Sequence, residues 1–236
     1  MKDSSAPILG SSDVLGPDGL ALGIRPYYQD AAVTIYHGDC RLILPLLGTF
    51  DLLMADPPYG INVAKTGKVG GNSKGVAARD YGASEWDKEV VEDWVMSLAR
   101  SRCRKQIIFG GNYYALPPCK GPLIWDKQNT GDFADGEMAW NNLGCALRIK
   151  RHLWNGMIRK GDESRDHPTQ KPLEVISWAL QLAGDVTTVL DPWAGSGTTG
   201  RACKDLGKRC VLIEREERYC EVAAKRMEQE VLPLGA

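Results

Sequence analysis

A chain of 236 residues, 43% hydrophobic and with a formal net charge of −1, is long enough to bury one sizeable α/β core and too short for two full domains. Near-neutral charge excludes a general polycation, so any nucleic-acid surface must come from a local cluster of Lys and Arg. No apolar run approaches the roughly 18 residues of a membrane span, the start lacks a basic-then-apolar leader, and seven cysteines without a Cys-x-x-Cys pair argue against a metal centre, so a cytoplasmic protein with free thiols is expected.

Residues 1–25, rich in Ser, Gly, Pro and Asp without periodicity, read as a loose arm ahead of a single domain over 26–236. Ala32 to Tyr36 is a β-branched and aromatic strand, and Arg41 to Leu47 a short helix. Between them Asp39 stands at a strand's C-terminal end, where helix capping and ligand contact both remain open. The apolar run Leu52-Leu53-Met54 then leads into Ala55-Asp56-Pro57-Pro58-Tyr59-Gly60. Two consecutive prolines remove two backbone donors and hold the residues before them extended, so the ladder stops there. A carboxylate (Asp56), the Pro57 carbonyl and an aromatic ring (Tyr59) are left at the strand end, a set suited to gripping a flat heterocycle that bears an NH2 group.

A loop over 61–86 follows. Its Lys65, Lys68, Lys74 and Arg79 lie among four glycines with no acid as far as Arg79, which favours a lid or a contact with nucleic acid. Val91, Trp94, Val95 and Leu98 fall at helical spacing as core positions, and Ile107 to Gly110, Leu123 to Lys127 and Glu137 to Trp140 read as strands. From Ala146 to Lys160 the chain carries Arg148, Lys150, Arg151 and Arg159 without an acid, and the alternation of Leu147, Ile149 and Leu153 suggests a strand with one basic face. His167-Pro168-Thr169-Gln170-Lys171-Pro172 introduces a helix from Leu173 to Ala183, with Thr169 as a cap and Pro172 in its first turn.

The C-terminal third holds a β-loop-α-β unit. Strand Thr188 to Asp191 runs into Pro192-Trp193-Ala194-Gly195-Ser196-Gly197, then a helix from Thr198 to a Gly207 stop, then a strand ending at Glu214. Such a unit holds a nucleoside. The string Gly195-Ser196-Gly197-Thr198-Thr199-Gly200 also fits the dinucleotide pattern, but Asp191 before the loop would repel a pyrophosphate and suits the ammonium of an amino-acid moiety. Outside the carboxyl ends of one parallel sheet the two loops would meet, one holding S-adenosylmethionine and the other an acceptor base.

These residues resemble the amino-directed DNA methyltransferases of the β arrangement, in which the catalytic motif precedes the cofactor motif, and the small phage-borne and solitary members most. Asp56-Pro57-Pro58-Tyr59 is similar to the catalytic motif. Asp191-Pro192-Trp193-Ala194-Gly195-Ser196-Gly197-Thr198-Thr199 is similar to the cofactor motif, with Trp193 for the usual phenylalanine. His167, Thr169, Gln170 and Lys171 resemble the segment at the methionine end of the cofactor, and Glu214 the ribose-binding strand; Asp39 joins the cofactor set. The resemblance implies a Rossmann-like α/β methyltransferase fold with a seven-stranded, mostly parallel sheet, and a small target-recognition insertion at about 128–165. It further implies S-adenosylmethionine as cofactor and double-stranded DNA as partner, with the base flipped out of the duplex. An aspartate at the head of the catalytic motif accompanies adenine N6 more often than cytosine N4. Cytosine N4, a non-catalytic DNA-binding relative and a homodimer stay open, while a cytosine-C5 enzyme would need a nucleophile such as Cys119 after Pro118.

Overall fold

The computed structural model describes residues 24–60, 68–69, 79–80, 90–129, 134–154 and 170–229. The expected arm (up to residue 23), most of the 61–86 loop, and the expected site residues Lys65, Lys74, Arg159, His167 and Thr169 lie outside them. At 68–69 and 79–80 two short strands, β4 (Lys68–Val69) and β5 (Arg79–Asp80), pair antiparallel.

Among the described residues the main sheet has nine strands. In chain order they are β1 (Tyr28–Gln29), β2 (Val33–His37), β3 (Phe50–Ala55), β6 (Cys103–Phe109), β7 (Leu123–Asp126), β8 (Gly136–Asn141), β9 (Arg148–Arg151), β10 (Thr188–Asp191) and β11 (Arg209–Glu214), arranged in space as β1-β2-β11-β10-β3-β6-β8-β7-β9. The expected seven are present. The extra two are the short edge strands β1, antiparallel to β2, and β9, parallel to β7. From β2 to β6 every neighbouring pair is parallel, whereas β8 runs antiparallel to both β6 and β7.

Strands covered on both faces read as continuous apolar runs, and β3 shows why: Leu52 and Met54 pack into one core with α3 (Leu173–Leu182), α4 (Thr198–Asp205) and α5 (Glu217–Glu228). Leu53 and Ala55 face the other core with α1 (Cys40–Ile43) and α2 (Asp93–Ser101). At the far end of β3, Asp51 Oδ2 accepts from the backbone N–H of Thr187 and Thr188 at 2.9 and 3.0 Å, fixing β3 beside β10. After β10 the chain turns toward β11 and after β3 toward β6, so the two loops diverge and open a crevice at this switch in strand order.

Four expectations need correction. Trp94 is 53% exposed; Val95, Met96 and Ala99 form the buried side of α2 instead. On β9, Ile149 is 58% exposed and Leu147 before it 48%, because no described element covers that face of an edge strand. The presumed basic face is also partly neutralised, since Lys150 pairs with Glu174 at 2.6 Å and Arg151 approaches Asp126 at 3.4 Å, while Arg148 stays exposed. At α3 the N-cap is Pro172 itself, without a side-chain capping bond.

The fourth concerns Gly197, expected to let backbone approach a ligand. It is the N-cap of α4 at φ +77°, and a Cβ there would stand 2.7 Å from the Cβ of Ala223 on α5. Its glycine character serves the α4–α5 contact and the left-handed backbone. Gly197→Val should therefore destabilise the fold by roughly 2 kcal/mol or more, with a Tm loss of several degrees; an unchanged melting curve would contradict this reading.

Candidate active site

β3 stops at Ala55 and delivers Asp56 to the crevice beside Asp191, the last residue of β10. A cavity of about 460 Å³ runs along the crevice, with Asp56, Pro58, Gln170 and Lys171 at one end, Asp191 to Ser196 with Thr198 and Thr199 along it, and Asp39, Glu214 and Tyr219 also in its wall. That volume suits a nucleoside-sized ligand. Of the expected catalytic and cofactor residues within the described chain, Gly197 and the buried Pro57 are absent from the wall. Tyr59 lies outside the wall but touches Asp56.

Asp39 does cap α1, accepting from the Arg41 N–H at 2.9 Å, and it also holds the Arg41 guanidinium, whose other arm reaches Glu92 at 3.1 Å. The Arg41 side chain holds the Asp39 carboxyl below the usual range. Glu214 accepts from the Gly195 N–H and the Glu216 N–H, both at 2.8 Å, and so shapes the glycine loop from the neighbouring strand. Gly200 gives the close helix-strand packing of such loops, since a Cβ there would meet Leu212 Cδ1 at 2.7 Å. Asp191, 3% exposed, accepts from the Trp193 N–H at 3.0 Å and from Thr199. Burial lifts both carboxyls to about 7, Asp191 against its hydrogen bonds and Glu214 against three backbone donors.

At the other end Lys171 is 5% exposed, and its ammonium lies 2.7 Å from both oxygens of Asp56 and 3.0 Å from Glu137 Oε2 on β8. The resemblance assigned Lys171 to the cofactor's methionine end. Its ammonium sits on the Asp56 carboxylate, and the residue also lines the cavity wall. The Tyr59 hydroxyl donates to Asp56 Oδ1 at 2.5 Å. Asp56 Oδ1 thus accepts two bonds and Oδ2 one, which leaves, among the described residues, an acceptor direction on Oδ2 for an incoming N–H. Burial pushes the Asp56 carboxyl up despite Lys171, and Lys171 itself is pushed up by its two carboxylates.

Tyr59 was expected to stack on a base. One face of its ring lies on Tyr113, centroids 4.9 Å apart at 12°. Gly110, at φ +63°, leaves room for the ring, because a Cβ there would come within 2.1 Å of Tyr59 Cε1. Tyr114 donates its hydroxyl to the Pro58 carbonyl and braces the same loop. Glu137, Tyr113, Tyr114 and Gly110 escaped the sequence reading. Only Glu137 left a signal there, an acid directly before the apolar run Met138-Ala139-Trp140. Cys119 is not in the cavity wall; the thiol that does line it is Cys40, the first residue of α1.

A mostly parallel sheet thus brings an Asp-Pro-Pro-Tyr strand end and a glycine loop into one cavity of nucleoside size. Residues 123–225 match the N6/N4 methyltransferase family, described as DNA methylase. The type II methyltransferase M2.DpnII of Streptococcus pneumoniae is 26% identical, covering 90% of this chain and 96% of that protein, and M2.LlaDCHI of Lactococcus lactis subsp. cremoris is 27% identical, covering 89% and 94%. Among solved structures, the fold matches the M1.HpyAVI-SAM complex (TM-score 0.54, 20% identity, 84% of this chain and 100% of that one). It also matches the cytosine-N4-specific PvuII DNA methyltransferase (TM-score 0.59, 14% identity, 89% and 91%). The chain is thus similar to the DNA methylases over residues 123–225, and to type II methyltransferases along most of its length.

Proposed function

We propose that the chain is a site-specific DNA methyltransferase that moves a methyl group from S-adenosylmethionine to the exocyclic N6 of an adenine flipped out of duplex DNA. The observation that carries this reading is the single cavity shared by Asp56 and by the Asp191–Thr199 loop with Glu214. Bound there, S-adenosylmethionine supplies an activated methyl group. Asp191 and Glu214 suit its hydrogen-bond donors and positive charge, and Ser196, Thr198 and Thr199 line the way between.

The amino nitrogen of adenine is a weak nucleophile because its lone pair is delocalised into the ring. Asp56 accepts an N–H of that amine, favours pyramidal nitrogen and stabilises positive charge as it develops. No covalent enzyme intermediate is needed, and much of the acceleration is positioning. Once methylated, the nitrogen sheds a proton, and the raised Asp56 carboxyl is the acceptor within reach. The preference for adenine rests on aspartate at the head of the catalytic motif. Arg148, the 61–86 loop and the target-recognition insertion supply the DNA contacts in this reading, and a homodimer is compatible with it. Incubating the protein with labelled cofactor and unmethylated duplex DNA should place label in the DNA; cofactor binding without label in DNA would mark a non-catalytic relative.

Ionised carboxylates are what this ligand needs, yet in the free protein both Asp191 and Glu214 titrate near 7. Ligand binding lowers those pKa values, so affinity is fully developed above 7 and declines as pH falls through it. Calorimetry should find binding at pH 6 about tenfold weaker than at pH 8 for each group that must give up its proton. Affinity independent of pH would remove both carboxylates from the binding account.

A further inference from the structure

Four charges of alternating sign form a chain that leads away from the acceptor site. Lys127 Nζ on the turn after β7 lies 2.5 Å from Glu137 Oε1, Glu137 Oε2 lies 3.0 Å from Lys171 Nζ, and Lys171 Nζ lies 2.7 Å from Asp56. Lys171 also lies over the rings of Tyr59 and Phe109, 5.5 and 5.4 Å from their centroids. Burying an ammonium against one carboxylate alone is costly. Here a second carboxylate on β8 shares the charge, and Lys127 balances that carboxylate in turn. Glu137 is held well below the usual carboxylate range, at about 2, by the two lysines against the effect of burial. It is therefore a fixed anion across the working range of pH.

We propose that Lys171, anchored by Glu137, is a positioning residue for methyl transfer: it keeps Asp56 anionic and turns its free acceptor direction toward the target amine. The proposal deepens the functional reading above and rests on it. The ionisable groups facing Asp56 are Lys171 from the segment before α3, Glu137 from β8, Tyr59 from its own loop and Asp191 from β10. Of these, Lys171 favours the anion and Glu137 opposes it. Opposite signs make the two roles separable.

The test is the single-turnover methyl-transfer rate against pH at saturating cofactor and DNA, together with a 13C titration of the Asp56 carboxyl in the free protein. Lys171→Met should move the acid limb of the rate upward by a pH unit or more, slow transfer about tenfold or more at a pH on that limb, and raise the Asp56 titration alike. Lys171→Arg should restore part of both. Glu137→Gln should move both midpoints downward. A general loosening of the site would shift both variants in one direction, and that result, or midpoints unchanged from wild type, would overturn the proposal. Melting curves and cofactor affinity identify any variant that has lost its fold, and the Glu137→Gln arm then decides alone. A wild-type protein that transfers no methyl would overturn the functional reading and this role with it, whereas normal transfer with unmoved midpoints would overturn only the role of Lys171.

Discussion

Asp56→Ala should lower turnover on the order of 10²-fold or more while leaving cofactor affinity nearly unchanged. The carboxylate's bond to the target amine strengthens as charge develops on nitrogen, so its loss falls on the transition state rather than on ground-state binding. The substitution also removes one of two anions around the buried Lys171, leaving it with Glu137 alone. Asp56→Asn keeps the size of the side chain and separates these effects: it should lose a comparable factor in turnover if the charge matters, and very little if only a hydrogen-bond acceptor is required. Measurement of kcat alongside cofactor Kd checks both variants. Weakened cofactor binding with unchanged kcat would move Asp56 out of the catalytic role.

Gly110→Ala should be nearly as damaging, although glycine carries no chemistry. The added Cβ would enter the Tyr59 ring at 2.1 Å, and the backbone at φ +63° disfavours any side chain. Since Gly110 follows β6 and the neighbouring core residues Ile108 and Phe109 are untouched, the change should act first on Tyr59 and its bond to Asp56. Tyr59→Ala removes the same ring directly. Both variants should cut kcat/KM for DNA by about tenfold or more, as expected for loss of a stacking surface worth roughly 1–3 kcal/mol per base. A fully active Gly110→Ala enzyme would mean that the Tyr59 position seen here is not the working one.

Much of this arrangement was legible in the residues because it is local. Two prolines after Leu52-Leu53-Met54 stop a strand wherever it lies, and Asp191 to Gly207 encodes strand, glycine loop, helix and stop within one unit. Strand ends in a parallel sheet then bring the two loops together by topology. What escaped depends on partners distant in sequence. Lys171 reaches an Asp 115 residues earlier, and nothing in its own neighbourhood distinguishes a cofactor contact from a grip on the Asp56 carboxylate. The α5 residue that makes Gly197 obligatory is likewise set by helix packing. The sidedness of β9 failed for a related reason: alternation gives two faces, but only the fold decides whether either is covered. The bare count of basic residues there missed Glu174 and Asp126, which come from α3 and β7.

The most direct test of the central claim is the identity of the methylated nucleoside. The wild-type protein, incubated with S-adenosylmethionine and DNA that lacks methylation, should yield N6-methyladenine on digestion and mass spectrometry, and Asp56→Ala should yield almost none. N4-methylcytosine as the only product would contradict the choice of target while keeping Asp56 as the acceptor of an amine. 5-Methylcytosine, or no methylated base at all, would contradict the account of the site.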